Sequence, residues 1–224
     1  MDIGKTRERW GDSLLTVLTA LLIVMMFVVA PLQALGIFAF QIFELLLALF
    51  LVGGVFVMSG SRVAVVAMLG ALAMIVTGAV LRLKSPSILD LNLFAGAWLI
   101  VGVTLAWTVA QATFAPGRIT YHRVIGAVLL YLTVAVIFAA LFTFIGTLAP
   151  KAFAGMSVED SAKLASQLIY FSFATLTTTG YGDLAPVHPL ARSLCNLEAI
   201  FGQLYPATLL ARLVTLELAH RDNE

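Results

Sequence analysis

The sequence predicts an all-α integral membrane protein, and three observations lead to this prediction. Of the 224 residues, 61% are hydrophobic. Only 11% are charged, whereas a soluble domain carries about a quarter charged residues. The apolar residues form long uncharged runs, which cross membranes as helices because a helix satisfies its own backbone hydrogen bonds. The surface must therefore face lipid, and the net charge of +1 gives no indication of nucleic-acid binding.

Six apolar segments are each about as long as the roughly 20 residues that a bilayer requires. The predicted spans are 13–32, 35–58, 62–83, 89–114, 122–148 and 189–218. The first follows basic residues, as a signal peptide does, but it lacks a clear small-x-small cleavage site and is expected to be retained. An even number of spans places both termini on one side. Eight of the 13 Lys and Arg residues fall on that side, so the positive-inside rule predicts cytoplasmic termini.

The stretch Thr177-Thr178-Thr179-Gly180-Tyr181-Gly182-Asp183 lies between the last two spans. Its two glycines flank one residue and permit a positive φ at alternate positions. Such a ribbon can turn successive carbonyl oxygens to one side. Four ribbons around an axis would form rings of oxygens that replace the water shell of a potassium ion. A Gly-rich turn between two membrane helices is the simpler alternative.

This run resembles the selectivity filter of tetrameric potassium channels, and residues 170–215 resemble small bacterial channels of the two-helix-pore ion channel family. The resemblance implies a pore unit made of an outer helix, a re-entrant pore helix, a filter and an inner helix. Because the chain has a single filter motif, four chains are expected to assemble as a homotetramer. The implied function is passive, potassium-selective conduction across the plasma (inner) membrane of a bacterium, and no enzyme activity is expected.

The resemblance also assigns the filter residues. Those implied to bind K⁺ are Thr178, Thr179, Gly180, Tyr181 and Gly182. Asp183 would brace the outer mouth, and the hydroxyl of Tyr170 is expected to reach it from the pore helix. Thr179 departs from the family, in which valine or isoleucine is usual, and its hydroxyl is expected to alter the rigidity of the filter. No cofactor other than K⁺ ions in the filter is expected.

The last span carries the residues expected to bend, line and support the pore. Gly202 lies 20 residues beyond Gly182 and matches the gating-hinge glycine of the family, and Pro206 should kink the helix one turn later. Close packing of a small residue, with a static kink, is the alternative. Glu198 is expected to support the filter from behind, and Gln203 is expected to face the central cavity.

The pore helix is expected to begin at a capping-box pattern, Ser157-Val158-Glu159-Asp160, and to run to about Thr177. Its carbonyl end would direct partial negative charge at the cavity, which favours a cation. The single cysteine, Cys195, cannot form an intrachain disulfide and is expected to be a packing residue.

The predicted domain organisation has three parts. Residues 1–118 are expected to form a four-span bundle that resembles a voltage sensor, 119–218 the pore domain and 219–224 a short cytoplasmic tail. The fourth span has no Lys or Arg between Asp90 and Thr113, so the channel is expected to be voltage-insensitive. Glu44, near the middle of the second span, is either a relic or neutral acid or a proton sensor.

The expected partners are membrane lipid, K⁺ and the other chains of the tetramer, and no cytoplasmic ligand-binding domain is expected in the chain. Two other functions stay open. A non-selective cation channel would keep the same pore with a less specific filter. A non-conducting regulatory subunit would keep the fold without ion flux.

Overall fold

The computed structural model describes residues 15–37, 61–84, 87–113, 121–159, 161 and 163–221. These residues form six helices and two short strands, which are numbered here in chain order. The helices are α1 (Leu15–Ala34), α2 (Arg62–Lys84), α3 (Ile88–Thr113), α4 (Tyr121–Leu148), α5 (Leu164–Leu176) and α6 (Pro189–Arg221), and the strands are β1 (Phe153–Ala154) and β2 (Ala185–Pro186). Residues 38–58 of the second predicted span, including Glu44, lie outside the described part.

Four helices of the described part, α1 to α4, are long and apolar enough to cross a membrane. Their bounds agree with the predicted first, third, fourth and fifth spans to within two residues. Helix α6 covers the sixth predicted span but is not among these four. It is less apolar because Asn196, Glu198 and Gln203 interrupt its hydrophobic residues.

Helix α1 packs against the segment that the sequence assigns to the pore. It contains a π-helical turn at Met25–Val29, which ends two residues before Pro31. Proline has no N–H to donate to the preceding turn, so a wider turn accommodates it there. Phe27 on this turn meets Phe173 on α5, with the ring centroids 5.2 Å apart. Contacts to the pore segment therefore begin with the first helix.

Helix α3 packs along α4, and α2 packs on the other side of α3. Asn92 near the start of α3 accepts a hydrogen bond of 2.8 Å from Thr147 near the end of α4, so the two helices are antiparallel. Their approach is close at Gly102, where an added Cβ would lie 2.7 Å from the side chain of Ile137. The fourth predicted span thus packs directly on the outer helix of the same chain.

An aromatic cluster joins α4, α5 and the loop between them. Phe142 is fully buried, and its ring centroid lies 4.9 Å from that of Phe171 and 5.8 Å from that of Phe153. Next to this cluster, β1 pairs antiparallel with β2. Since β1 precedes α5 and β2 follows the Gly-Tyr-Gly loop, the pairing fixes both ends of the segment that contains the candidate filter.

The predicted start of the pore helix was wrong. Helix α5 begins at Leu164, follows Lys163 and has no side-chain cap, whereas the capping-box pattern placed its start at Ser157. In the described part, the segment before α5 is not helical. It contains β1, and its Val158 packs on Gly146 of α4. Strand pairing and this contact outweigh the local capping signal.

Candidate functional site

The loop after α5 turns back over the carbonyl end of that helix. Thr177 N–H donates to Phe173 O and Thr178 N–H to Thr175 O, both at 2.9 Å. Gly180 N–H then donates to Ala174 O at 3.0 Å. Residues 177–183 are all exposed in the single chain, beside the negative end of the helix dipole.

Positive φ angles alternate along this loop. They occur at Thr178 (57°), Gly180 (55°) and Gly182 (84°), with Thr179 and Tyr181 between them at negative φ. The two glycines adopt this region at little cost, as the sequence indicates, whereas a threonine there carries strain. The third position was not predicted, because nothing local marks Thr178 as left-handed. This alternation is the backbone pattern that can turn successive carbonyls to one side.

The hydroxyls of Thr177 and Thr179 form a chain that ties the loop to α5. Thr177 Oγ1 donates to Phe173 O at 2.6 Å and lies 2.8 Å from Thr179 Oγ1. A hydroxyl has a single proton, so Thr179 must be the donor to Thr177. Thr179 is therefore hydrogen-bonded to Thr177 and, through it, tied to α5.

Tyr170 and Asp183 are in contact, as predicted. The phenol hydroxyl of Tyr170 lies 3.0 Å from each carboxylate oxygen of Asp183. Its ring also stacks on Tyr181, with centroids 5.8 Å apart and an interplanar angle of 11°. Desolvation and the hydrogen bond to Asp183 raise the pKa of Tyr170 above its ordinary value of 10.0.

Gly202 lies where α6 presses on the end of α5. It is buried, and an added Cβ would overlap the carbonyl oxygen of Leu176. Helix α6 continues through both Gly202 and Pro206. Close packing on Leu176 therefore explains why a glycine occupies this position. Close packing is the alternative to a gating hinge in the sequence-based predictions.

Glu198 lies on α6, where that helix meets α4 and α5. Its side chain is fully buried, and Oε1 is 2.5 Å from Ser172 Oγ of α5. Ser172 Oγ also lies 2.9 Å from Ala135 O of α4. Oε2 of Glu198 has no hydrogen-bond partner among the described residues. Glu198 therefore contacts the pore helix, as expected, through a serine that sequence reasoning did not single out.

Gln203 reaches the start of the Gly-rich loop. Its Nε2 donates to Thr178 Oγ1 at 2.8 Å, and Thr178 Oγ1 donates to Thr177 O at 2.7 Å. Cys195, one helical turn before Glu198, is buried and unbridged. Within the described ranges, no three His, Cys, Asp or Glu side chains are grouped closely enough to hold a metal ion.

Comparison with protein families finds a match. Residues 126–217 match a family model described as "Ion channel". The matched segment holds most of α4, all of α5, the Gly-rich loop and nearly all of α6. Searches of the curated proteins and of the solved structures found no match.

The match and the apolar helices together indicate the class of protein. Residues 126–217, less than half of the chain, match the ion channel family model, and four helices of the described part are long and apolar enough to cross a membrane, which supports a multi-pass membrane protein with an ion channel domain. An ion channel family is not a class of enzymes.

Proposed function

We propose that the protein is a potassium-selective channel that conducts K⁺ passively through a homotetrameric pore. The observation that carries this proposal is the Thr-Thr-Gly-Tyr-Gly-Asp loop with positive φ at Thr178, Gly180 and Gly182. The loop follows directly on the carbonyl end of α5, where a cation is favoured. Four such loops around an axis provide the stacked rings of oxygen that a dehydrated K⁺ requires.

The exposure of the loop supports assembly around that axis. Tyr181 is 71% exposed in the single chain, and on α6 Leu197, Ile200 and Leu204 are each more than half exposed. Lipid can cover apolar side chains on a helix, but an irregular loop with exposed backbone beside that helix is tolerated in a membrane only where other protein or a water-filled cavity surrounds it, which favours neighbouring subunits here. One filter quarter per chain makes four chains the number that closes the ring.

The filter is held from three directions in this proposal. Asp183 is bound by Tyr170 at the outer end. Thr179 is tied to α5 through Thr177, and Thr178 is bonded to Gln203 of the inner helix. Support by side chains of the same chain keeps the carbonyl rings from collapsing onto a smaller ion.

We also propose that the channel is insensitive to voltage and lies in a bacterial plasma membrane with cytoplasmic termini. Helix α3, the counterpart of a sensor helix, has Asp90 as its single charged residue. A helix without Lys or Arg has no positive gating charges to move through the membrane field. A steep conductance–voltage relation of the purified protein in planar bilayers would contradict this part of the proposal.

The primary test is ion flux into liposomes that contain the purified full-length protein. We expect K⁺-driven flux, little flux with Na⁺, and loss of flux or selectivity in Gly180→Ser, since serine at a φ of 55° is strained. The control is Gly70→Ser on α2, where an added Cβ meets nothing within 4 Å. No flux with either ion would refute conduction by this chain alone.

A non-selective cation channel is the second candidate, and the hydroxyl of Thr179 is the observation that favours it. A hydroxyl behind the filter introduces a hydrogen bond where an apolar side chain is usual. Equal flux of K⁺ and Na⁺ in the same liposomes would establish this candidate and exclude the first.

A further inference from the structure

A hydrogen bond from Gln203 orients the hydroxyl group of Thr178. Thr178 Oγ1 donates its only proton to Thr177 O at 2.7 Å. It accepts from Gln203 Nε2 at 2.8 Å. A hydroxyl oxygen has two lone pairs, so one remains after these bonds are made. The orientation of that last lone pair is set by the other two contacts.

Gln203 is itself held in place on both sides along α6. The residue before it, Gly202, is packed on the carbonyl of Leu176. Two residues after it, Tyr205 donates its hydroxyl to Ala127 O of α4 at 2.8 Å. The backbone that carries the amide is thus anchored to both α5 and α4, so the amide reaches Thr178 from a fixed position.

We propose that Gln203 is a positioning residue for the ion site at the cavity end of the filter. By donating to Thr178 Oγ1, it holds the free lone pair of that hydroxyl toward a dehydrated monovalent cation. A hydroxyl that is already oriented loses less rotational freedom when the ion binds, which strengthens binding. This proposal rests on the proposed function, because it requires a filter that binds cations.

The bond also makes this ion site depend on the position of the inner helix. Gln203 and Gly202 are neighbours on α6, whereas Thr178 belongs to the loop after α5. A displacement of α6 away from α5 lengthens the contact from 2.8 Å beyond hydrogen-bond reach. The filter then loses an oriented ligand without any change in its own sequence.

The test is calorimetric titration of the purified full-length protein with K⁺ against a choline background. Gln203→Leu should weaken K⁺ binding about 3- to 10-fold, the factor that corresponds to one neutral hydrogen bond. Gln111→Leu is the matched control, since Gln111 is exposed near the far end of α3. It should leave K⁺ affinity unchanged.

A double-substitution comparison separates positioning from a general structural role. In a Thr178→Ser background, which keeps the hydroxyl, Gln203→Leu should still weaken K⁺ binding. In Thr178→Val, which removes the hydroxyl, Gln203→Leu should have no further effect. Additive losses in the valine background, or an unchanged affinity in Gln203→Leu alone, would overturn the proposal.

Two further measurements test the proposal if a variant does not assemble or if the protein does not select K⁺. If Thr178→Val does not assemble, the side-chain amide resonance of Gln203 in the wild-type protein is measured by NMR, with K⁺ exchanged for choline. A shifted resonance supports the proposal, and an unshifted one overturns it. If the wild type binds Na⁺ as tightly as K⁺, potassium selectivity fails, but the same comparison made with Na⁺ still tests Gln203.

Discussion

Replacing Gly202 with alanine would place a methyl group against the backbone of α5. The new Cβ would overlap the carbonyl oxygen of Leu176 and lie 2.7 Å from its carbonyl carbon. These are backbone atoms, which cannot rotate away as the end of a flexible side chain does. Relief therefore requires α6 to move away from α5, and that movement would also stretch the bond between Gln203 and Thr178.

The expected change in the free energy of unfolding has two opposing contributions. Overpacking costs up to about 3 kcal/mol, and a clash with backbone belongs at the upper end of that range. Replacing a helical glycine with alanine returns about 1 kcal/mol. The net destabilisation is about 2 kcal/mol per subunit, which corresponds to a fall in Tm of about 4–8 °C for a chain of this size.

The assay is thermal unfolding of the detergent-purified protein, followed by circular dichroism. Gly70→Ala is the matched control because its Cβ meets nothing within 4 Å on α2, so its Tm should be unchanged or slightly raised. If Gly202→Ala has the Tm of this control, close packing is not the role of Gly202. An altered ion flux at unchanged Tm would instead indicate the hinge.

Three further predictions concern the supports of the filter. Tyr170→Phe should speed the decline of K⁺ flux during sustained conduction, and Asp183→Ala should add little in the double variant, because both remove the same contact. Additive effects in liposome flux would refute a shared role. Thr179→Val should lower the Tm measured in K⁺, because it removes a hydrogen bond to Thr177 that contributes about 1 kcal/mol. Thr179→Ser keeps the hydroxyl and should leave the Tm unchanged. Equal Tm values for the two variants would contradict this prediction. Glu198→Ala should lower the free energy of unfolding by about 2–4 kcal/mol, because it leaves a cavity and removes hydrogen bonds. Glu198→Gln, whose amide can donate to Ser172, should recover most of that stability. A glutamine variant as unstable as the alanine variant would show that the hydrogen bond is unimportant.

The helices were predictable because lipid imposes a simple constraint. A segment must be apolar and long enough to cross, and both properties can be read from the chain. The prediction of 62–83 against the observed Arg62–Lys84 shows the accuracy that this constraint provides. The contact between Tyr170 and Asp183 was also predicted, but from the resemblance to potassium channels and not from local chemistry.

The features that escaped prediction depend on contacts between distant residues. Ser172 and Glu198 are 26 positions apart, and nothing near either residue marks the other as its partner. The start of α5 was misplaced because the pairing of β1 with β2 competes with a local capping pattern. In both cases contacts between residues distant in the sequence determine the structure, whereas the patterns that can be read from the sequence are local.

The contacts between α5 and α6 explain why α6 is less apolar than the other long helices. Glu198 bonds to Ser172, Gly202 packs on Leu176, and Gln203 bonds to Thr178. Because Ser172 has one hydroxyl proton and also contacts Ala135 O, both of its contacts are hydrogen bonds only if Glu198 is neutral and donates. Glu198 and Gln203 are thus directed at α5 and the Gly-rich loop. A displacement of α6 must consequently break bonds to the Gly-rich loop, so the position of α6 and the geometry of that loop change together.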